Sequence, residues 1–230
     1  MKTFRPARFL AGLMAALLCA ARVLAAPAEY AFRWDPALGG PGSGPAVAGA
    51  LGLRVDKVKT YRIDYFDVAG DPAAPTIARR RTDGGKTQLT LKQRQAEGQA
   101  AGSAPACALG AGADGKTEVD VTLLAEGQSR RALSFSCTLE GARGLAFAPE
   151  LHPVARGCVA TMHRYRTDAM DIEEWSVHDG ASRVIEVSMK GADDAATQRR
   201  FEETVVRPLL AAHAAPLSAS KTEFATACRP

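Results

Sequence analysis

Several short stretches of this chain carry charges two residues apart with apolar residues between them. That alternation limits the possible folds more than any other feature of the sequence. Arg79 and Arg81 form one such pair, and Lys92 and Arg94 another, with Thr90 in phase. Glu118 and Asp120, Arg164 and Arg166, and the set Glu186, Ser188 and Lys190 repeat it. On a β-strand, residues two apart share a face. The intervening Leu89, Leu91, Val119, Val121 and Val187 then form an opposite, apolar face. Two architectures satisfy this pattern. A half-solvated sheet turns its apolar face to a core and its charges to water. A closed barrel can do the reverse, with charges inside, but those charges then need partners or a polyanion.

The chain is rich in such strands. Residues 29–34 alternate as a short strand, and a Pro/Gly-rich loop follows. Residues 45–51 suit a short helix, with Pro45 early and Gly52 just beyond. The run KVKTYRIDYFD at 57–67 is a strong strand. Residues 76–81 and 86–94 read as a hairpin turning at Thr82-Asp83-Gly84-Gly85. Residues 116–124 and 130–139 read as a second hairpin, around Glu126-Gly127-Gln128. Strands follow at 159–166, 171–178 and 183–190. Residues 192–207 form the clear helix, which Pro208 is expected to end or kink. Its Phe201 and Val205 are expected to pack on the barrel. Residues 222–228 read as a final strand. No βαβ alternation appears, which excludes a parallel nucleotide-binding sheet. The expectation is a mainly β (α+β) fold: an antiparallel eight-stranded, tunnel-like barrel with one or two flanking helices, as a single domain over 27–230.

The N-terminus sets the expected compartment. Lys2, Arg5 and Arg8 precede an apolar run from Phe9 to Ala21, which ends in Val23-Leu24-Ala25-Ala26. This is the pattern of a secretory signal peptide over 1–26, cleaved near Ala25 or Ala26. The run is too short for a stable membrane span. The expected location is periplasmic or secreted. The formal net charge of +4 resides in this leader. Lys2, Arg5, Arg8 and Arg22 belong to it, and the other basic residues balance the 25 Asp and Glu. A near-neutral mature chain argues against nucleic acid as a partner. Any anion site must come from local placement of charge. Cys107, Cys137, Cys158 and Cys228 remain after cleavage, an even number that reads as two disulfides. Three pairings are open. Cys107–Cys137 with Cys158–Cys228 is favoured because each closes one half of the chain.

The segment from Tyr61 to Arg94, YRIDYFDVAGDPAAPTIARRRTDGGKTQLTLKQR, resembles the CYTH or triphosphate tunnel superfamily. Tyr65-Phe66-Asp67, Arg79-x-Arg81 and Thr90-Leu91-Lys92 match its motifs in order. So do Lys116-Thr-Glu118-Val-Asp120, Arg164-Tyr-Arg166 and Glu186-Val-Ser188. The resemblance implies an antiparallel tunnel that clamps an anionic, phosphate-rich small molecule. Arg33, Arg79, Arg81, Lys92, Arg94, Arg164, Arg166 and Lys190 would bind phosphate. Glu29, Glu118, Asp120 and Glu186 would hold Mg2+ or Mn2+, with Glu118, Asp120 and Glu186 counted as catalytic. Guanidinium groups suit phosphate oxygens and carboxylates suit hard cations. Two departures stand out. The family opens with Glu-x-Glu-x-Lys, where this chain has Glu29-Tyr-Ala31-Phe-Arg33. Ser188 replaces a second late carboxylate.

Three readings stay open at this stage. One is a metal-dependent hydrolase of inorganic triphosphate or polyphosphate in the cell envelope. The second is a tunnel that binds such anions without turnover. The third is a secreted structural β-protein. A serine-hydrolase elbow and a P-loop are both missing from the sequence. His152, His163, His178 and His213 are scattered, and the parity of His163 places it opposite Arg164. Trp34 and Trp175 read as core or rim residues, and Lys221 resembles a late basic residue of some tunnel enzymes. Oligomeric state has no sequence signature here.

Overall fold

A computed structural model describes residues 27–69, 76–96, 107–177, 180 and 182–227. The proposed signal segment and Cys228 lie outside these residues. The strands are β1 (Pro27–Trp34), β2 (Lys57–Asp67), β3 (Ile77–Asp83), β4 (Lys86–Ala96), β5 (Asp114–Ala125), β6 (Gln128–Ala142), β7 (Val154–Arg166), β8 (Asp171–Val177) and β9 (Ser182–Ala192). They close into one barrel in the order β1-β5-β6-β4-β3-β2-β7-β8-β9.

The barrel differs from the expected one in two respects. It has nine strands rather than eight. It is also mixed, because β1 pairs in parallel with β5 while pairing antiparallel with β9. The first strand is thus the one that seals the ring. A strand-by-strand reading of hairpins cannot foresee this, because the closing pair joins strands far apart in sequence. Closure leaves no exposed sheet edge among the strands.

The outward faces of the strands build the main core. Tyr30, Phe32 and Trp34 on β1 pack with Val121, Leu123, Ile172, Ile185 and Val187. Over them lie α1 (Gly44–Ala50) and the long C-terminal helix. Helix α1 sits close, since a Cβ at Gly44 would lie 2.1 Å from the Tyr165 ring. The long helix begins as α2 (Ala195–Phe201), capped by the Asp194 carboxylate on the Thr197 N–H. It passes through one π-helical turn (Glu202–Val206) and continues as α3 (Arg207–Ala211). Pro208, expected to end or kink the helix, does not end it; the helix continues through it by way of this wider turn. Its ring has no N–H to return to Thr204, and the wider turn just before it absorbs the lost hydrogen bond. Phe201, Val205, Val206 and Leu209 are fully buried against the outer wall.

The segment expected as a final strand is instead α4 (Lys221–Thr226). Ser220 and Glu223 form a complete capping box, the local signal that outweighs strand propensity here. A second outer cluster joins Ala78, Leu91, Cys137 and Phe147. Beside it, Cys107 and Cys137 form the expected disulfide, with Cα atoms 5.4 Å apart. Among the described residues, no helix is long and apolar enough to cross a membrane.

Candidate functional site

The orientation of β1 fixes the inside of the barrel. Tyr30, Phe32 and Trp34 lie under the helices, so Glu29, Ala31 and Arg33 face the lumen. Register carries that assignment around the ring. Arg33 lies opposite Glu186, Glu186 opposite Glu173, and Glu173 opposite Arg164. In the other direction Glu29 lies beside Asp120, while Glu118 and Arg94 both face Ser134. Lys92 is opposite Ile77, in phase with Arg79 and Arg81. Lys190 is opposite Glu29, and Arg166 is opposite Asp171. All twelve sequence-derived positions, from Glu29 to Lys190, therefore occupy the lumenal face. His163 lies on the other face, where it meets the Thr60 hydroxyl at 3.0 Å.

Three groups divide the lumen. In the first, carboxylate oxygens of Glu29, Glu118 and Asp120 all lie within 4.8 Å of one another. Neighbouring strands supply them: β1 brings Glu29 beside Asp120, and Glu118 is two residues back along β5. Each acid has cationic neighbours. Lys92 is 3.0 Å and Arg94 2.8 Å from Asp120, and Lys116 pairs with Glu118. Burial alone would raise the Asp120 carboxyl, but Lys92 and Arg94 outweigh it and hold it below the usual carboxylate range. Burial and the hydrogen-bonded Lys116 lower the Lys190 ammonium. Hard oxygen donors at this spacing suit Mg2+ or Mn2+.

The second group is cationic. Arg79 and Arg81 have no carboxylate within ion-pair distance among the described residues. Their buried Nε atoms, like that of Arg164, donate to no protein acceptor. Burial, and next the Arg79 charge, pull Arg81 down to about 10. Tyr61 faces the Arg81 guanidinium at 5.2 Å. Two adjacent guanidinium groups without an acid between them form a ready anion cradle.

The third group is a closed ion network, and Glu186 belongs to it rather than to the carboxylate cluster. Arg33 Nε donates to Glu186 at 2.9 Å. Lys221 reaches in from α4 to Glu186 and Glu173, each at 2.6 Å. Trp175 Nε1 also donates to Glu173. Burial opposes the charge on Lys221, yet Glu173, Glu186 and Glu29 raise it above the ordinary lysine value. Burial likewise opposes the charge on Glu173, but Lys221, Arg81 and Arg164 lower its carboxyl strongly. Every charge in this group is paired within it.

Sequence reasoning missed Glu173 as a lumenal acid. Asp171 and Glu173 carry the same two-residue spacing, but the adjacent Glu174 disguises it. Glu174 points outward, to Arg183 and the Gly44 N–H. Lys116 was legible only through its motif. Lys221 was legible only through its resemblance to a late basic residue of some tunnel enzymes, and its pairing with Glu173 and Glu186 had no local signal.

No family model matches this chain, and no curated protein matches it. Solved structures with a related outline exist at low similarity. The PH1012 protein from Pyrococcus horikoshii OT3 aligns at 13% identity and TM-score 0.45, over 85% of this chain and 98% of that one. The PH1819 protein from the same organism aligns at 8% identity and TM-score 0.45, over 85% and 97%. A conserved hypothetical protein from Pyrococcus furiosus aligns at 10% identity and TM-score 0.44, over 85% and 98%. Such distant likeness carries no functional argument.

Proposed function

We propose that the lumen binds an inorganic triphosphate or polyphosphate chain and, with Mg2+ or Mn2+, hydrolyses it outside the cytoplasm. The observation that carries this reading is the Arg79–Arg81 doublet, lumenal and without a carboxylate partner among the described residues. A near-neutral mature chain that concentrates unpaired guanidinium groups inside a barrel is arranged for an anion. The resemblance to the triphosphate tunnel superfamily supports the same ligand class. The Cys107–Cys137 disulfide suits an oxidising compartment.

Glu29, Glu118 and Asp120 would hold the cation, which supplies charge neutralisation and activation of water when bound. The chain's own groups do the rest. Lys92, Arg94 and Lys116 neutralise these acids when the lumen is empty. An incoming phosphate chain offers those cations alternative acceptors, which frees carboxylate oxygens for the metal. Arg79, Arg81 and Arg164 would orient the phosphate by bidentate hydrogen bonds.

The non-catalytic reading has one observation in its favour. Ala31 and Ser188, which replace the two family carboxylates, face each other directly across β1 and β9. The ligand positions on that pair are thus lost together, leaving metal binding to the β1–β5 side. One experiment separates the readings. Purified protein is incubated with tripolyphosphate and Mg2+ or Mn2+, and orthophosphate and melting temperature are followed. Release of phosphate that Glu118→Gln abolishes supports hydrolysis. Thermal stabilisation without release supports binding alone. Neither response rejects both.

A further inference from the structure

The lumenal face is not charged along its whole length. Ile63, Tyr65, Ala160, Met162, Trp175 and Val177 share the phase of Arg81 and Arg164, yet they form an apolar cluster. Ala225 of α4 is fully buried among them. The chain reaches this place by crossing the end of β1. Pro216 bridges Trp34, Leu217 N–H donates to the Arg33 carbonyl, and Arg33 Nη1 donates to Ala219 O. Helix α4 then lies on the lumenal wall, pinned by Lys221 between two buried carboxylates.

Exposure rises away from this helix. The side chains of Glu186 and Glu173 are 2% and 6% exposed, whereas those of Lys116 and Arg166 reach 40% and 51%. One end of the lumen is therefore dry and filled, and the other is wet and charged. We infer that the lumen is a blind pocket floored by α4, and that it selects a phosphate chain by its free end. This inference rests on the phosphate reading above and specifies how the ligand enters.

The charge distribution fits end-on binding. A terminal phosphate carries roughly one more negative charge than an internal one, as a monoester does near neutral pH. Arg81, Arg79 and Arg164 stand next to the floor, with Arg81 over Tyr61. The buried Nε atoms of Arg79 and Arg81 have no hydrogen-bond acceptor among the described residues and offer donors to the extra oxygen charge, while Arg164 is held beside them by Asp171 and Glu173. A chain lying across the site, with phosphates continuing in both directions, would need an opening where Ile63, Met162, Trp175 and α4 are packed. Helix α4 is thereby the specificity-determining element.

The test uses the full-length protein and two long-chain polyphosphates of equal length. One has free termini and the other has both terminal phosphates blocked as phosphoramidates. Affinity is measured by titration calorimetry, with linear tripolyphosphate as reference. End selection predicts that the blocked chain binds about tenfold more weakly, or worse, than the free chain. Equal affinity of the two long chains, with tripolyphosphate still bound, overturns the blind-pocket inference and leaves the phosphate reading intact. Failure of tripolyphosphate itself to bind overturns both.

Discussion

The two faces of the same strands obey opposite rules. The outer face holds Tyr30, Phe32, Trp34 and Ile185 in a dry core under helices. The inner face holds Glu29, Arg33, Arg79 and Asp120, one residue out of phase on their own strands. In most sheets the apolar side marks the inside of the molecule. Here helices cover the outside of the barrel, so the apolar side faces outward and the polar side faces the cavity. The comparison teaches that alternation locates two faces but does not say which one is the interior. That choice depends on what packs against each face. It also divides the energetics, since the outer face holds the fold together and the open half of the lumen is free to bind.

This division makes testable predictions, the largest on the outer face. Phe201→Ala should destabilise the protein by about 3–5 kcal/mol in urea unfolding, because it empties a site closed on all sides. Next comes the floor network. Arg33→Met leaves Glu186 with Lys221 alone, and a loss of about 3 kcal/mol is expected. Replacing both Arg33 and Glu186 by Met should cost less than the sum of the single changes. Removal of the Cys107–Cys137 bond, which closes a separation of 30 residues, should lower stability by about 2–4 kcal/mol. The smallest stability effect belongs to the cradle. Arg79→Ala should change folding stability by less than about 0.5 kcal/mol, and Arg81→Ala by about 1 kcal/mol, since Arg81 also faces Tyr61 and helps hold the charge on Glu173. The same changes should weaken tripolyphosphate binding roughly tenfold to a hundredfold, as each removes a charge-assisted contact. If these variants unfold instead, the division between faces fails.

A pH series sharpens the same contrast. The Asp120 carboxyl is held below its ordinary value by Lys92 and Arg94, against the effect of burial. Its contribution is thus complete above the unfolded-state value of about 4 and is lost as pH falls through the lower folded value. The stability gap between the parent protein and Asp120→Asn should shrink as pH drops below about 4, and acid titration monitored by circular dichroism would reveal it.

Much of the fold was legible because strand alternation is a local signal. The strand at 57–67 and both hairpins follow from β-branched runs and glycine turns, and Cys107–Cys137 was the favoured of three pairings the cysteine count left open. The parallel β1–β5 closure was not legible, because pairing between distant strands has no local signature. Helix α4 was misread although Ser220 and Glu223 announced it; strand-like Phe224 and Thr226 outweighed the capping pattern. The common lumenal phase of Arg79, Arg81, Glu118 and Asp120 was readable from two-residue spacing. The separation of Glu186 from the other acids was not, because Lys221 arrives from an element whose placement only tertiary structure decides.

The most direct measurement is a crystal structure with tripolyphosphate and manganese. The account predicts phosphate density inside the barrel against Arg79 and Arg81, and an anomalous manganese peak among Glu29, Glu118 and Asp120. Phosphate bound only on the outer wall, or a lumen filled by protein side chains with no anion, would contradict it.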